Sequence, residues 1–488
     1  MSFIDGTAVN VALPIMQKDL GASAAEVQWV VEGYSLFLSA LILIGGSLGD
    51  LYGRKRIFSL GIGLFAAASI GCAFAPNAVF LIVARCVQGV GGALSLPGSL
   101  ALITAAYTGE ARGRAIGTWS GFASITGALG PLLGGGLVQY ASWRWVFAIN
   151  VPLALLVLAV LAYGVDESRD AQATPGIDVA GAILATLGLG GLIFGLIHLQ
   201  GGLPDALGLA SVVAGCALLA VFVYVEAHEP HPMIDLAVFR SRTFAAGNIY
   251  TFLLYAGLGG GFFFLPFDMI NVQGYTPSAA GAANLPFILI MFTLSRFSGG
   301  LVTRIGARIP LVLGALLAAS AFVIFSFAGV GKSYWVSFFP GAVLLGLGGA
   351  SFVAPLTTTV MDAVSTARAG VASGINNAVA RTAGLVAIAA LGIALAGGFE
   401  SSVELHLGQM HGVSAATVAI VKANAGTIVT GVVPAQITDP AARDAVRAAV
   451  KQTFAAQFQL VMLVTAVLAL IAAGIGFDGS FRRVPASR

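Results

Sequence analysis

Apolar runs of membrane-spanning length recur along the chain and constrain its fold more than any other feature. A bilayer core about 30 Å thick is crossed by a helix of about 20 apolar residues. The sequence therefore predicts an all-α polytopic membrane protein with about fourteen spans. The predicted spans are approximately residues 1–16, 27–48, 57–76, 78–102, 115–138, 145–164, 177–199, 206–226, 244–270, 280–302, 309–329, 335–358, 370–396 and 456–477.

The composition excludes an ordinary soluble domain. Only 9% of the 488 residues are charged and 58% are hydrophobic, whereas soluble domains carry about 25% charged residues. The net charge of +3 is small and says nothing about nucleic acid, which we do not expect as a partner. Cys72, Cys86 and Cys216 lie inside apolar runs without a paired spacing, so we interpret them as buried apolar residues rather than redox sites.

Basic residues in alternate loops predict the orientation of the chain. One set of loops and the C-terminal tail are rich in Arg, whereas the other set contains fewer basic residues. Since cytoplasmic loops carry the excess of Lys and Arg, we expect both termini in the cytoplasm and the long segment 397–455 outside. The first run from Met1 is about 24 Å long, which is short of a full crossing, so we expect that its first turns are missing.

An internal repeat divides the chain into two similar parts. Residues 299–306 echo residues 46–53, and residues 346–350 echo residues 89–93, at offsets of 253 and 257. Two parallel six-helix halves are a transporter architecture with the substrate site between them. The predicted units are an N-terminal half at 1–164, two inserted helices with flanking cytoplasmic loops at 165–243, and a C-terminal half at 244–488.

The loop after the second predicted span combines glycines with charged residues. Gly46 and Gly53 permit a tight turn, Asp50 ends one helix and Arg54 begins the next. One interpretation is a basic loop that only fixes the topology. The other is a conformational latch, in which Asp50 pairs with a cation such as Arg54 or Arg112 and the loop grips the opposite half.

The same loop resembles the signature loop of the major facilitator superfamily. Residues 85–89 resemble the fourth-helix motif of that family, and residues 127–135 resemble its fifth-helix antiporter motif. Residues 5–14 and 143–152 resemble motifs of its 14-helix drug:proton antiporter branch. These motifs cover the N-terminal half densely, whereas the C-terminal half matches through its number of spans and through weaker echoes.

The resemblance implies a major facilitator fold, with two six-helix halves, two inserted helices and a central cavity. The antiporter motif residues are then Gly127, Gly130, Pro131, Gly134 and Gly135. Glycines at this spacing also fit a close helix crossing, and both roles can hold. Two departures stand against the pattern. Thr303 occupies the position that corresponds to Asp50 in the repeat, so a second acid is absent there. Some drug pumps of this branch carry an acid in the penultimate span. Residues 370–396 contain none, which argues against recognition of dicationic drugs.

Several charged residues lie inside predicted spans, where a charge is costly and indicates function. Asp5 lies about 16 Å from the outer end of its helix, and Glu32 and Arg85 lie about 8 and 10 Å inside theirs. A carboxylate held between desolvation and a neighbouring Arg can titrate near physiological pH. We interpret Asp5, Glu32 and Arg85 as the proton-coupling residues. A static ion pair that fixes helix packing is the alternative.

Other polar residues inside spans are candidates for contacting a substrate. They are Asn10, Gln88, Asn376, Asn377 and Arg381. Arg381, about 16 Å into its span, can meet either an anionic substrate or a helix carbonyl. Asn376 and Asn377 can hydrogen-bond across helices. We expect Asp268 to snorkel to the outer surface and residues 262–264 to face lipid or pack.

Together these features predict a proton-coupled secondary transporter in the inner membrane of a bacterium, which exports small amphipathic organic compounds or drugs by alternating access. The sequence contains no catalytic triad, phosphate loop or metal-ligand spacing, so we expect no enzyme activity, metal or cofactor. The alternatives are a transporter of one metabolite, siderophore or lipid, an importer, or a membrane receptor. A periplasmic adaptor and an outer-membrane channel are further partners that the sequence does not test.

Overall fold

The computed structural model of this chain is a bundle of long helices. It describes residues 1–107, 109–169, 176, 178–201, 205–230, 232–298, 305–364, 369–396, 402–403, 406–407, 414–423, 436–477 and 481. In chain order the long helices are α1 (Ser2–Leu20), α2 (Ala24–Tyr52), α3 (Arg54–Ala73), α4 (Ala78–Ala106), α5 (Gly109–Tyr140), α6 (Arg144–Ala148 and Asn150–Gly164), α7 (Val179–His198), α8 (Ala206–Glu226), α9 (Arg242–Phe267, then the π-helix Asp268–Val272), α10 (Pro277–Ala282 and Leu285–Ser298), α11 (Arg308–Ser326), α12 (Tyr334–Ser337 and Phe339–Asp362), α13 (Ala369–Ala396) and α14 (Pro440–Phe477).

The number of membrane-spanning helices agrees with the hydropathy of the sequence. Within the described ranges, twelve helices are long and apolar enough to cross a membrane. The remaining two long helices, α1 and α5, have 19 and 32 residues and pack against each other. Their mean hydropathy is lowered by charged residues near their ends, such as Lys18 and Glu110. With them, the fold class and the prediction of about fourteen spans are confirmed.

The last helix is longer than its predicted span. The predicted span 456–477 continues without a break from residues 440–455, so that α14 has 38 residues. The sequence from Ala441 to Ala473 contains neither Gly nor Pro and is rich in Ala, the best helix former, so nothing interrupts the helix where it leaves the membrane. A short helix, Ala415–Ala423, also lies in the predicted outer segment. The rest of 397–439 lies largely outside the described residues.

The helices pack as two groups with a hairpin at the side. Helices α1 to α6 contact one another and are called the N-terminal half here, and α9 to α14 form the C-terminal half. The hairpin of α7 and α8 packs against α2 and α13. The two halves meet where α5 contacts α10 and where α2 contacts α13. This arrangement fits the predicted units, whose exact boundaries stay a prediction.

Matching glycine contacts occur in the two halves. A Cβ at Gly61 of α3 would lie 2.8 Å from the carbonyl oxygen of Gly91 in α4, and a Cβ at Gly314 of α11 would lie 3.0 Å from that of Gly348 in α12. Such close approach of two backbones requires glycine at both crossings. The offset from Gly61 to Gly314 is 253 and that from Gly91 to Gly348 is 257. These are the offsets of the sequence repeat, so cognate helix pairs cross in the same way.

Candidate functional site

A fully buried carboxylate lies in the N-terminal half at the side chain of Asp5, which has 0% exposure. Its Oδ2 accepts a hydrogen bond from Arg85 Nη1 at 2.5 Å. Its Oδ1 accepts from Gln88 Nε2 and from Asn150 Nδ2, both at 3.0 Å. Both oxygens therefore have donors, as a buried ionised carboxylate requires.

The cation of this ion pair is held equally firmly. Arg85 Nε donates to the Val30 carbonyl at 2.9 Å, and Nη1 also donates to Gln88 Oε1 at 2.7 Å. The guanidinium lies 4.3 Å from the centre of the Tyr34 ring, a cation–π distance. Gln88 Nε2 donates in addition to Ser69 Oγ at 2.9 Å. The network joins α1, α2, α3, α4 and α6, and it brings together the predicted residues Asp5 and Arg85.

The break in α6 explains how Asn150 reaches this network. Helix α6 is interrupted at Ile149 between the segments Arg144–Ala148 and Asn150–Gly164. Pro152 has no N–H and cannot donate to the carbonyl four residues earlier, which favours the interruption. Asn150 is 0% exposed. Asn150 lies within the motif 143–152, and the sequence alone predicted no role for it. A buried Asn beside a proline in an apolar span was the available signal.

Glu32 has a contrasting environment. It is 0% exposed, and neither carboxylate oxygen has a hydrogen-bond partner among the described residues. One turn away on the same face, Gln28 Oε1 accepts a hydrogen bond from Gln200 Nε2 at 2.8 Å. One turn in the other direction, Leu36 packs against side chains of α7 and α13. Glu32 therefore lies at the junction of α2, α7 and α13, where its neutral, protonated form fits best.

A central cavity of about 370 Å³ lies between the two halves. Residues of α1, α2, α5, α9, α10 and α13 line it. Much of the wall is apolar or aromatic: Val11, Val31, Tyr255, Leu258, Phe262, Phe287 and Ile388. Of the lining residues in the described ranges, Arg381 is the charged one, and its Nε has no hydrogen-bond partner there. Asn10 also lines the cavity, and its Oδ1 has no partner in the same ranges.

The other predicted substrate contacts lie elsewhere. Gln88 belongs to the Asp5 network. Asn376 Nδ2 donates to Thr251 Oγ1 at 2.7 Å and to Asn248 Oδ1 at 3.2 Å, which joins α13 to α9. Asn377 Nδ2 donates to the Ser373 carbonyl of its own helix at 3.0 Å. The expectation of a hydrogen bond across helices is thus confirmed for Asn376, whereas Asn377 bonds within α13.

The antiporter-motif glycines form the contact between α5 and α1. Gly127 and Pro131 line the cavity, and the Gly127 carbonyl accepts a hydrogen bond from Thr7 Oγ1 at 2.9 Å. A Cβ at Gly130 would overlap Thr7, and a Cβ at Gly134 would lie 2.8 Å from a Cα of α1. The predicted close helix crossing is therefore present, and one wall of the cavity is built directly on it.

Gly135 faces the other half of the molecule. A Cβ there would overlap the backbone of Pro277 at the start of α10, and a Cβ at Gly281 would overlap the α5 backbone. Gln139 Oε1 accepts hydrogen bonds from the backbone N–H and the hydroxyl of Ser278. These contacts lie at the ends of α5 and α10 that the basic-loop pattern predicts to be outside. At this end of the cavity the two halves touch backbone to backbone, which requires the glycines at 135 and 281.

The predicted latch residues surround the turn between α2 and α3. Arg54 Nη2 lies 2.7 Å from Asp50 Oδ1, one helical turn away, and the Asp50 side chain is 40% exposed. Gly53 between them has φ 111°, which favours glycine. Both charged residues belong to the N-terminal half, so in this conformation their ion pair fixes the turn. Gly46 lies earlier in α2, next to Pro97 of α4.

The Glu167 carboxylate, which no sequence motif indicated, binds the start of α3 beside this turn. Glu167 Oε1 accepts from the Lys55 N–H at 2.9 Å, and Oε2 accepts from the Arg56 N–H at 3.1 Å. An acid at the first N–H groups of a helix is favoured by their partial positive charge. The side chain of Arg112, the other predicted partner of Asp50, lies outside the described residues, as does Thr303.

One further expectation was wrong, and another is confirmed. Asp268 does not snorkel: it is 0% exposed, and its Oδ2 accepts a hydrogen bond from Gln273 Nε2 at 3.2 Å. The π-helical turn Asp268–Val272 and the loop that Gln273 contacts at Gly329 cover it. The expectation that residues 262–264 face lipid or pack is confirmed as packing, because Phe263 and Phe264 lie in the buried core and Phe262 packs against it while also lining the central cavity. The π-helical turn and the cavity depend on tertiary structure, so the hydropathy of the sequence does not predict them.

Comparisons with known proteins agree with this architecture. The model of the Major Facilitator Superfamily matches residues 1–390. The chain is 36% identical over 417 residues to the multidrug resistance protein Stp of Mycobacterium tuberculosis (strain CDC 1551 / Oshkosh), covering 83% of this chain and 76% of that protein. It is 36% identical over 394 residues to the lincomycin resistance protein of Streptomyces lincolnensis, covering 79% and 80%. A solved bacterial homologue of the human lysosomal transporter Spinster, inward-facing and unoccupied, has the same fold, with a TM-score of 0.64 at 17% identity, over 99% of this chain and 96% of that one.

Proposed function

Because the chain belongs to the major facilitator superfamily, we propose that it is a proton-coupled antiporter that exports small amphipathic organic compounds, drugs among them, from a bacterial cell. The relatives named for multidrug and lincomycin resistance support the direction of transport and the substrate range. The cavity between the two helical halves, with largely apolar walls and few polar groups, supports binding of a compound of this kind.

The position of Asp5 is the observation that carries the proton coupling. Its carboxylate is buried against Arg85, while Gly6 and Thr7, the next residues of α1, line the cavity. A change in the charge of Asp5 therefore acts on the helix that forms the cavity wall. A buried charge in a membrane span is retained at a cost, which supports a functional role.

The proposed proton step follows from the hydrogen bonds. A proton that binds Asp5 removes the negative charge that attracts Arg85. The protonated carboxyl oxygen becomes an O–H donor and accepts hydrogen bonds less well. Arg85 keeps its contacts with Gln88, the Val30 carbonyl and the Tyr34 ring. Protonation thus loosens α1 from α4 without leaving the guanidinium unsatisfied. Because α1 and α5 are in glycine contact, a movement of α1 is passed to α5 and to the cavity.

Closure alternates between the two sides in this proposal. The contact of α5 with α10 closes the outer side here, and the halves rock to open it. Entry of one proton down a potential of 100 mV supplies about 2.3 kcal/mol, plus the pH gradient. The basic loops support an orientation in the inner membrane with both termini in the cytoplasm. The proposal requires neither a periplasmic adaptor nor an outer-membrane channel.

Proton movement driven by a substrate tests this function. The purified protein would be placed in liposomes that contain a pH-sensitive dye, and a panel of amphipathic compounds of either charge, including lincomycin, would be added. We expect at least one compound to move protons in the opposite direction to itself, at a rate proportional to the amount of protein. Compound flux with no linked proton movement across the panel would contradict the proposal.

A further inference from the structure

Three cavities follow one another along α9, from the centre of the molecule towards its outer end. The central cavity touches Phe262 of this helix, a second cavity of 40 Å³ touches Phe264, and a third of 140 Å³ touches Asn271. Phe454 of α14 lines both the second and the third. The three cavities therefore outline a route from the central cavity to the outer face, interrupted by aromatic side chains.

The charged residues along this route have one sign. In the described ranges, Arg381 is the charged residue that lines the central cavity, and the second cavity is lined by uncharged residues. Lys18, Arg447 and Lys451 line the outer cavity. One acid offsets them in part, because Asp444 lies 3.3 Å from Arg447. The route thus begins at one cation and ends at three.

Topology does not explain the outer group of cations. Lys and Arg concentrate on the cytoplasmic side of membrane proteins, and outer segments are poorer in them. Here three converge on one cavity, and they come from both halves: Lys18 from α1, and Arg447 and Lys451 from α14. Like charges that face each other across a closed boundary repel, so this closure is stabilised when an anion lies between them.

The groups that Arg381 offers fix the chemistry of the ligand. Its Nε has no hydrogen-bond partner in the described part of the chain, and the cavity around it is largely apolar. In such a place a guanidinium forms its strongest contact with a carboxylate, sulfonate or phosphate. The negative charge of Asp5 does not compete, since that carboxylate is buried and paired with Arg85.

We propose that the substrate is an amphipathic organic anion, whose negative head binds Arg381 in the central cavity and then the Lys18, Arg447 and Lys451 group on its way out. This inference rests on the proposed export function and specifies its substrate class. The apolar body of the compound packs against the aromatic wall, and the outer cations draw the head group past Phe454. A cation of the same shape is repelled at both ends of the route.

Binding of matched probes tests the substrate charge. Dansylglycine, dansylamide and dansylcadaverine carry one fluorophore with a negative, neutral or positive tail, and their anisotropy is measured with the protein in nanodiscs against empty nanodiscs. We expect dansylglycine to bind about ten- to a hundredfold more tightly than dansylcadaverine, as for a charge-assisted hydrogen bond. Arg381→Gln should remove the preference, Arg381→Lys should keep part of it, and the control Arg308→Gln, at a residue stacked on Phe477, should keep all of it.

The outer cations are tested by transport. A triple variant, Lys18→Gln with Arg447→Gln and Lys451→Gln, should bind dansylglycine in nanodiscs as the wild type does but export it several-fold more slowly. The control Lys332→Gln, at an outer lysine bonded to its own loop, should export it at the wild-type rate. Equal export rates for the triple variant and the wild type would overturn the role of the outer group.

The outcomes separate this inference from the proposed function. Proton movement driven by dansylglycine but not by dansylcadaverine supports both. Proton movement driven by dansylcadaverine but not by dansylglycine supports the antiporter and overturns the anionic substrate. If no compound moves protons, the antiporter fails, and the binding preference still decides the charge: a preference lost in Arg381→Gln supports an anion site, and equal binding of the three probes overturns it.

Discussion

The two halves contribute opposite kinds of polar chemistry to the centre of the molecule. In the N-terminal half, Asp5 and Arg85 neutralise each other, and Gln88 of α4 and Asn150 of α6 donate hydrogen bonds to the Asp5 carboxylate. In the C-terminal half, Arg381 reaches the cavity wall, and the paired side chains beside it, Asn376 and Thr251, are neutral. A buried carboxylate with its own hydrogen-bond donors, such as Asp5, suits proton exchange. A guanidinium on the cavity wall, such as Arg381, suits contact with a ligand.

The largest expected effect comes from breaking the paired charge. Arg85→Met leaves the Asp5 carboxylate buried without its cation, so the free energy of unfolding should fall by about 3–5 kcal/mol. Arg381→Met, at the open charge, should change it by less than about 1 kcal/mol. Denaturant titration of both variants makes the comparison. The double variant Asp5→Asn with Arg85→Met should recover much of the loss, and equal costs for the two Arg variants would erase the difference between the halves.

The contact that joins the halves should respond next. Gly135→Ala places a methyl group against the Pro277 backbone, and such overpacking costs about 1–3 kcal/mol. The outer closure should weaken, so spin labels on the outer ends of α5 and α10 should report longer distances, and transport should slow. Gly136→Ala is the matched control, because a Cβ there meets no atom within 4 Å. Identical distance distributions for the two variants would show that the crossing is not a gate.

Glu32 sharpens the comparison within one half, since it is as buried as Asp5 but lacks its partners. Glu32→Gln removes no hydrogen bond, so the free energy of unfolding should change by less than about 1 kcal/mol. The pH optimum of transport should nevertheless shift, because a titrating carboxyl is lost. Initial transport rates over a pH series give the profile. A profile that matches the wild type would assign Glu32 to helix packing.

The smallest effect is expected at the turn between α2 and α3. An exposed ion pair such as Asp50 with Arg54 contributes about 0–1 kcal/mol. Asp50→Asn should leave the fold intact and change the ratio of inward-facing to outward-facing molecules by less than about tenfold. Double electron–electron resonance between the halves measures that ratio. Unchanged distances together with normal transport would leave Asp50 as a residue of topology alone.

Much of the fold could be predicted because the bilayer requires every span to be an α-helix of about the same length. Hydropathy therefore located the spans, and the repeat offsets anticipated the glycine crossings of α3 with α4 and of α11 with α12. The continuity of α14 was missed, because its outer part is helical by propensity rather than by hydropathy.

The site was predictable where charge alone identifies a residue. Asp5 and Arg85 stand out because charges are rare inside spans, and the structure pairs them. Asn150 and Glu167 were not identified as site residues, since an amide or an acid near a helix end has many roles and its partner lies over 100 residues away. The buried position of Asp268 depends on a π-helical turn that no local pattern indicates.

In the proposed mechanism, the proton on Asp5 drives transport while the cavity binds the substrate. The most direct measurement compares two modes of transport for Asp5→Asn in the same liposomes: uphill export driven by a pH gradient, and exchange of labelled for unlabelled substrate at equilibrium. We expect uphill export to be lost and exchange to persist, because the asparagine cannot carry a proton but leaves the cavity wall in place. Uphill export at the wild-type rate in Asp5→Asn would contradict the account.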